Sequence, residues 1–470
     1  SLARASGIST PLMYGATFAF GSALAGLAGA LIAAVIAMPV FAQDTSPQAK
    51  SPQNWPMFMG DARHSGLAAT APTDIASLKP VWRHRIPAEV SASPVVVGNL
   101  LYIAAENGNL YAFDLTTHKQ VWLYHAEGGI GSTPAVGDGR LYALSRDGCL
   151  TVLDAATGKA LWRFKTGGEA RFGVPGGYGM PKTEGITPDP WDFWLSSPLV
   201  ENGRVYFGSS DHHVYALDAA TGAKIWAFEA DDSIHAAPAL NHGRLFIGTW
   251  GTRFYALDAQ TGVKLWDFQG GKDAETGILQ GFSAAATIDG DTVYIGSRDG
   301  YMRAFDVTNG KLRWAWDAEK SWVLATAAVD ADTLYFPTSD TTVFVALDKK
   351  TGKEKYRTDT KIWTYTSPVI AGDYAFAGTM TGDMYAFDKN TGKILWHYRT
   401  EDAKADTLGL IDAAGKLRSE ILFPQGFPPA PGVENVKSLG AFEASPVWSG
   451  NRLITVTAAG EIIIFSAENG

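Results

Sequence analysis

The sequence predicts an all-β fold, an eight-bladed β-propeller of four-stranded antiparallel blades closed by an N-terminal strand, and three observations carry that expectation. The first is a recurring phrase, Tyr111-Ala112-Phe113-Asp114 followed by Trp122. It returns as Tyr215-Ala216-Leu217-Asp218 with Trp226, Tyr255-Ala256-Leu257-Asp258 with Trp266, and Tyr385-Ala386-Phe387-Asp388 with Trp396. Looser copies hold Asp154 and Trp162, Asp306 and Trp314, and Asp348 and Tyr356; the aromatic follows the aspartate by eight residues in all seven. The second is a Ser-Pro-type pair about twenty residues upstream: Ser93-Pro94, Thr133-Pro134, Ser197-Pro198, Ala237-Pro238, Ala285-Ala286, Ala327-Ala328, Ser367-Pro368 and Ser445-Pro446. The third is the period itself, which lies near 40 residues, the mark of a stacked or radial array.

Each unit holds four short runs separated by turns. In the third they are residues 197–200, 204–208, 214–217 and 224–228, punctuated by Asn202-Gly203, Ser210-Asp211 and Thr221-Gly222. Aromatic and β-branched runs bounded by Gly, Asn and Asp read as antiparallel strands, and four such strands make a propeller blade. The aspartates, Thr-Gly pairs and tryptophans read as structural: the first two suit turns with side-chain bonds and positive φ, and the indoles bury area between blades.

Ahead of the blades, residues 1–42 read as a signal peptide or an N-terminal anchor. No charge lies between Arg4 and Asp44, and the apolar run from Leu24 to Ile36 leads to Val40 and Ala42, which suit cleavage before Gln43. Either reading places the rest of the chain outside the cytoplasm, periplasmic or secreted, with membrane contact only through an uncleaved segment. Residues 43–80 form a linker and lead-in whose Asn54-Trp55-Pro56-Met57-Phe58 and Asp61 to Gly66 are expected to pack on the ring, and residues 81–470 form the propeller. The last copy, from Ser445, has Ser466 at the aspartate position and lacks its aromatic. Trp82 lies 40 residues before Trp122 and has no unit of its own. The strand around Val81-Trp82-Arg83 is therefore expected to complete the eighth blade and remove the open sheet edge. A frayed last blade is the alternative.

Composition narrows the partners. A formal charge of −9 argues against nucleic acid, which favours a basic face. Cys149 is the single cysteine, so the sequence has no intrachain disulfide, no Cys-x-x-Cys-His haem attachment and no cysteine metal cluster.

Insertions locate the working surface. The step from aromatic to the next Pro-equivalent is 12 residues from Trp82, Trp122, Trp226 and Tyr356, but 14 from Trp314, 20 from Trp266, 36 from Trp162 and 50 from Trp396. Every sizeable insertion thus joins an outer strand to the next inner strand, on one rim, where a rigid scaffold usually carries its function. That rim offers Trp191, Asp192, Phe193, Trp194, His235, Trp250, Arg253, Arg298, Asp299, Trp322, Trp363 and Asp340, with Arg146-Asp147 and Glu106. Aromatics and a few charges converging on an axis suit a ligand pocket. Trp194, His235, Trp250, Arg253, Arg298, Trp322 and Trp363 are the candidate ligand-binding residues, through stacking and bidentate pairing with carboxylates. Asp192 and Asp299 are the candidate catalytic carboxylates, and no metal ligand set is designated. Arg146-Asp147-Gly148 and Arg298-Asp299-Gly300 also read as plain hairpin turns, and the axial tryptophans as a plug. The pair His212-His213 lacks metal spacing, and Phe423 to Pro429 reads as a lid or interaction loop.

The Ser-Pro, Tyr-Ala-Leu-Asp, Thr-Gly and Trp pattern from Val81 to Gly470 resembles the pyrroloquinoline quinone repeat. The lead-in residues Asn54-Trp55-Pro56, Gly60-Asp61 and Ser65-Gly66 resemble the opening of quinoprotein alcohol dehydrogenases and related exported propellers. The resemblance implies eight blades. It also implies one of two activities: a quinone with calcium near the axis and an aspartate base, as in the dehydrogenases, or protein binding with no quinone, as in the outer-membrane assembly propeller. This chain has no adjacent cysteine pair and no fused haem domain, and it is shorter than the typical enzyme. Two functions are therefore carried forward. One is a binding module taking a small ligand, glycan or envelope protein on its insertion-bearing face. The other is a dehydrogenase that oxidises an alcohol or sugar with pyrroloquinoline quinone and calcium.

Overall fold

The computed structural model describes residues 54–176, 182–272, 280–422 and 430–467. The expectations for the N-terminal targeting segment and for residues 423–429 lie outside the described residues. Among these, the strands form eight four-stranded antiparallel sheets and one two-stranded hairpin. Seven blades are consecutive in sequence, from Val95–Val97 onward. The eighth combines Val447–Ser449, Arg452–Val456 and Glu461–Ser466 with Lys79–Arg85. Trp82 pairs with Ile464 in that sheet, so the expected closure is present. No helix among the described residues is long and apolar enough to cross a membrane.

Burial explains why each strand has its composition. The third strand of blade III, His213–Asp218, is buried at its four central positions because it lies between neighbouring blades on both faces. It therefore reads as continuous apolar residues rather than as an alternation. In the outer strand Lys224–Glu229 only Trp226 is buried. That indole donates to Ala259 O of the next blade at 3.1 Å. Trp122, Trp266, Trp314 and Trp396 make the same bond to Ala155, Val307, Lys349 and Leu78. The repeat aspartate orders the turn that meets this indole: Asp258 Oδ1 accepts from Thr261 N and Thr261 Oγ1, both at 2.8 Å. Gly262 follows with φ +73°, and a Cβ there would sit 2.7 Å from the Trp226 ring. Aspartate, Thr-Gly and tryptophan are one device, repeated at the blade boundaries.

A second device runs around the axis. Thr133 Oγ1 accepts from Ser93 N, Ser197 Oγ from Thr133 N, Ser367 Oγ from Thr326 N, Ser445 Oγ from Ser367 N, and Ser93 Oγ from Ser445 N, all at 2.9–3.0 Å. Ala285 N donates to Thr326 Oγ1 at 3.0 Å. The ring lacks hydroxyls at Ala237 and Ala285. It also corrects one register: the pair of blade VI is Thr326-Ala327, not Ala327-Ala328, because the inner strand Ala328–Asp330 begins one residue earlier than the sequence pairing implies.

The lead-in straps the inner edges. Carbonyls of Trp55, Pro56, Ala62, Arg63, Ser65 and Gly66 accept from the N–H groups of Val96, Val136, Leu240, Ile288, Val329 and Ile370. These residues lie past the hydroxyl ring on the inner strands, so the strap sits at the rim opposite the insertions. Asp61 folds it by accepting from Arg63 N, Ser65 N and Ser65 Oγ. Gly66, at φ +64°, has no room for a side chain: a Cβ would lie 2.6 Å from Met59 Cε and 2.7 Å from Ala328 Cβ.

Candidate functional site

On the insertion-bearing rim the axis is covered from within. Trp191 and Phe193, from the 166–198 insertion, are buried with Leu410, Leu422, Val433, Val436 and Leu439 of the 400–446 insertion, together with Tyr365 and Met380. Trp194, Trp322 and Trp363 pack against the same cluster. Beneath it lies a small axial cavity lined by Trp194, Leu195, His235, Ser283, Leu324 and Tyr365 near the rim, by the hydroxyl ring, and by Phe58 of the strap. Room for the centres of water-sized spheres there is about 40 Å³.

Three of the expected ligand-binding residues meet one another. Arg298 is fully buried, and its guanidinium carbon lies 4.5 Å from the Trp250 ring centroid and 4.4 Å from that of Trp322. Phe172 stacks on Trp250 at 4.3 Å with planes 4° apart. Phe172, Trp250, Arg298 and Trp322 thus form a layered stack, with a planar cation clasped between two indoles. Arg298 Nη1 donates to Asp189 Oδ2, and Asp189 is itself fully buried. Neither Asp189 nor Phe172 was singled out by the sequence. Both sit in an insertion that follows no repeat register.

A second group surrounds His235. Its Nδ1 lies 2.7 Å from Asp192 Oδ1 and its Nε2 2.7 Å from Ser210 Oγ. Asp192 Oδ2 accepts from Phe172 N at 2.7 Å, and Glu169 Oε2 lies 2.9 Å from Ser210 Oγ. Burial opposes charge on the imidazole, but the Asp192 carboxylate more than offsets it, and the histidine is raised above its ordinary value. Burial also lifts Glu169. His235 thus links Asp192 to Ser210, and Ser210 in turn reaches Glu169. Aspartate, histidine and serine therefore line up in the order of a nucleophilic triad, but Ser210 Oγ also lies 2.9 Å from Glu169 Oε2 and 3.1 Å from Ala170 O, so acceptors other than the imidazole compete for its proton.

The remaining expected residues lie apart. Asp299 accepts from Arg303 Nη1 and Nη2 at 2.9 and 2.6 Å and from Gly271 N at 2.7 Å. Arg253 pairs with Asp267 across the outer strands of blade IV. Trp363 meets Trp191 edge-on at 5.2 Å. Arg146 binds Glu106 through Nε and Nη2 at 2.7 and 2.9 Å and Phe193 O at 2.6 Å, which ties the insertion to blades I and II. Glu443 is buried beside Lys437, 3.8 Å away, and burial pushes its carboxyl up to about 7. No group of three or more His, Cys, Asp or Glu side chains among the described residues is gathered to hold a metal ion.

The site defines the chain as a pyrroloquinoline-quinone-repeat propeller with a covered axis. The family model for outer membrane protein assembly factor BamB matches residues 71–176, 189–320 and 315–426, and the chain belongs to that family. Several solved structures share the fold. BamB from Moraxella catarrhalis is 20% identical, with a TM-score of 0.61 over 83% of this chain and 99% of that one. A europium-containing methanol dehydrogenase is 16% identical, with a TM-score of 0.64 over 89% and 99%. A quinohemoprotein alcohol dehydrogenase from Comamonas testosteroni is 15% identical, with a TM-score of 0.64 over 90% and 82%. Quinate/shikimate dehydrogenase (quinone) of Acinetobacter baylyi is 27% identical over 24% of this chain, a match that spans about 22% of the relative's length.

The residues present do not fit the quinone of the enzymes. Pockets that bury a ligand of that size run to several hundred Å³, and the axial cavity has about 40 Å³. The space between Trp250 and Trp322, where a planar ring could stack, is filled by Arg298. Arg146, a cation that could meet a ligand carboxylate, is bound through Nε and Nη2 to Glu106.

Proposed function

We propose that the chain is an exported, non-catalytic binding propeller that presents its insertion-covered rim to a polypeptide partner. One observation carries the reading: the stacking slot at the axis is filled by Arg298, paired to the chain's own Asp189. A propeller whose axis is closed by its own side chains offers its rim, not its channel, as a surface. Membership of the BamB family supports the same reading. The 400–446 insertion displays Leu408, a 49% exposed leucine, on that rim.

The test is site-specific photocrosslinking in envelope extract. A photoreactive residue at Leu408 is expected to capture a discrete protein partner, and one at Val263, an exposed turn position of blade IV, is not. Equal capture from both positions, or none from Leu408, contradicts the reading.

A further inference from the structure

Several buried polar atoms lack partners among the described residues, and those of Arg298, Trp250 and Ser283 can donate. Arg298 uses Nη1 for Asp189, while its Nε and Nη2 find no acceptor among the described residues. Those two N–H groups share one edge of the guanidinium, the edge that meets both oxygens of a carboxylate in parallel bonds. Trp250 Nε1, on the indole against Arg298, is buried without an acceptor as well. So is Ser283 Oγ, in the wall of the axial cavity. Folded proteins rarely leave buried donors unserved, and a cluster of them marks a missing acceptor.

We infer that Arg298 anchors a site for a small oxyanion of formate, acetate or hydrogencarbonate size. The anion lies in the plane of the guanidinium and accepts from Nε and Nη2, with Trp250 Nε1 and Ser283 Oγ as further donors. The guanidinium carbon lies 4.5 and 4.4 Å from the two indole centroids, so both rings shield this contact from water. A cavity of about 40 Å³ lies nearby, walled by Ser283 and by Tyr365, the phenol that feels the Arg298 charge, and a single water needs roughly 10–15 Å³. Asp189 balances the Arg298 charge but occupies only Nη1, so the paired edge remains unfilled. Asp340, the other acid felt by Tyr365 beside this site, is exposed, and solvent screens it. The site is too small for the tricyclic quinone and holds whether or not the rim binds a polypeptide.

The probe is sodium formate labelled with carbon-13, titrated against sodium chloride at equal ionic strength. Saturation-transfer NMR reads the ligand, and near-ultraviolet circular dichroism reads Trp250 and Trp322. One saturable site is expected in the wild-type chain. Arg298→Lys, which keeps the charge and loses the paired edge, is expected to weaken it at least tenfold. If that variant fails to fold, Trp250→Phe decides, since it keeps one aromatic ring in place and loses the indole N–H along with the fused ring. Binding weakened several-fold supports the site, and unchanged binding overturns it. No saturable response to formate, acetate or hydrogencarbonate in the wild type overturns it too, and assigns these donors to ordered water.

Discussion

Trp122 and Trp162 hold the same place in successive blades, and replacing each by phenylalanine separates a hydrogen bond from its packing. Trp122 Nε1 donates to Ala155 O at 3.0 Å. Trp162 Nε1 is buried with no acceptor among the described residues, while the matching carbonyl, Ala219 O, takes Tyr142 OH at 2.8 Å. Each ring lies against a turn glycine of the next blade, Gly158 or Gly222. The packing loss is therefore similar in the two variants and largely cancels in their difference. What remains in Trp122→Phe is one lost bond, worth about 0.5–1.5 kcal/mol net. Tyr102 OH still serves Ala155 O at 3.1 Å, so no acceptor is orphaned. In Trp162→Phe the change removes a buried donor whose desolvation costs about 1–3 kcal/mol. Trp122→Phe should thus be the more destabilising by about 2 kcal/mol. Urea unfolding followed by tryptophan fluorescence and far-ultraviolet dichroism, with coincident transitions, measures this. Equal losses in the two variants, or a larger loss at Trp162, would refute the reasoning.

Two further outcomes are expected. Burial lifts the Glu443 carboxyl to about 7, with Lys437 opposing. The folded chain therefore holds that proton more tightly than the unfolded chain. The associated stability is complete below the unfolded value of about 4.5 and is lost as pH rises through about 7. His235, raised by Asp192 against burial, acts in the same sense. Thermal midpoints should fall from about pH 5 to about pH 8, and Glu443→Gln should flatten that fall; an unaltered slope contradicts the assignment. Gly262→Ala places a Cβ 2.7 Å from the Trp226 ring at φ +73°. It should cost more than the roughly 1 kcal/mol of the backbone term alone, read as a lower urea midpoint. A cost near zero would show that the turn does not abut the indole.

The ring was legible because its register is written in residues with one physical job each. Asp258, Thr261, Gly262 and Trp226 serve a single contact, so their spacing cannot drift without breaking it. Trp82 and Ser466 gave the closure for the same reason. Blade VI slipped by one residue where Thr326-Ala327-Ala328 offers two small residues in a row, and the hydroxyl of Thr326 was the signal that settles it. The site was legible only in part. Trp250, Arg298 and Trp322 are fixed by blade geometry and do converge. Arg298 and its neighbour Asp299 diverge, the one to Trp250, Trp322 and Asp189, the other to Arg303, and adjacency in a turn does not foretell that split. Asp189, Phe172, Ser210 and Glu169 were missed because they depend on how a non-repeating insertion lies back across the blades, which local spacing does not encode.

The central claim, an axis closed by the chain's own side chains, is tested most directly by equilibrating the purified protein with pyrroloquinoline quinone and calcium. After removal of free quinone, the protein's absorbance shows whether any was retained. The account expects no retained quinone absorbance and no change in the tryptophan signal. Stoichiometric uptake would mean that Arg298 leaves its seat between Trp250 and Trp322, and would return the dehydrogenase reading to first place.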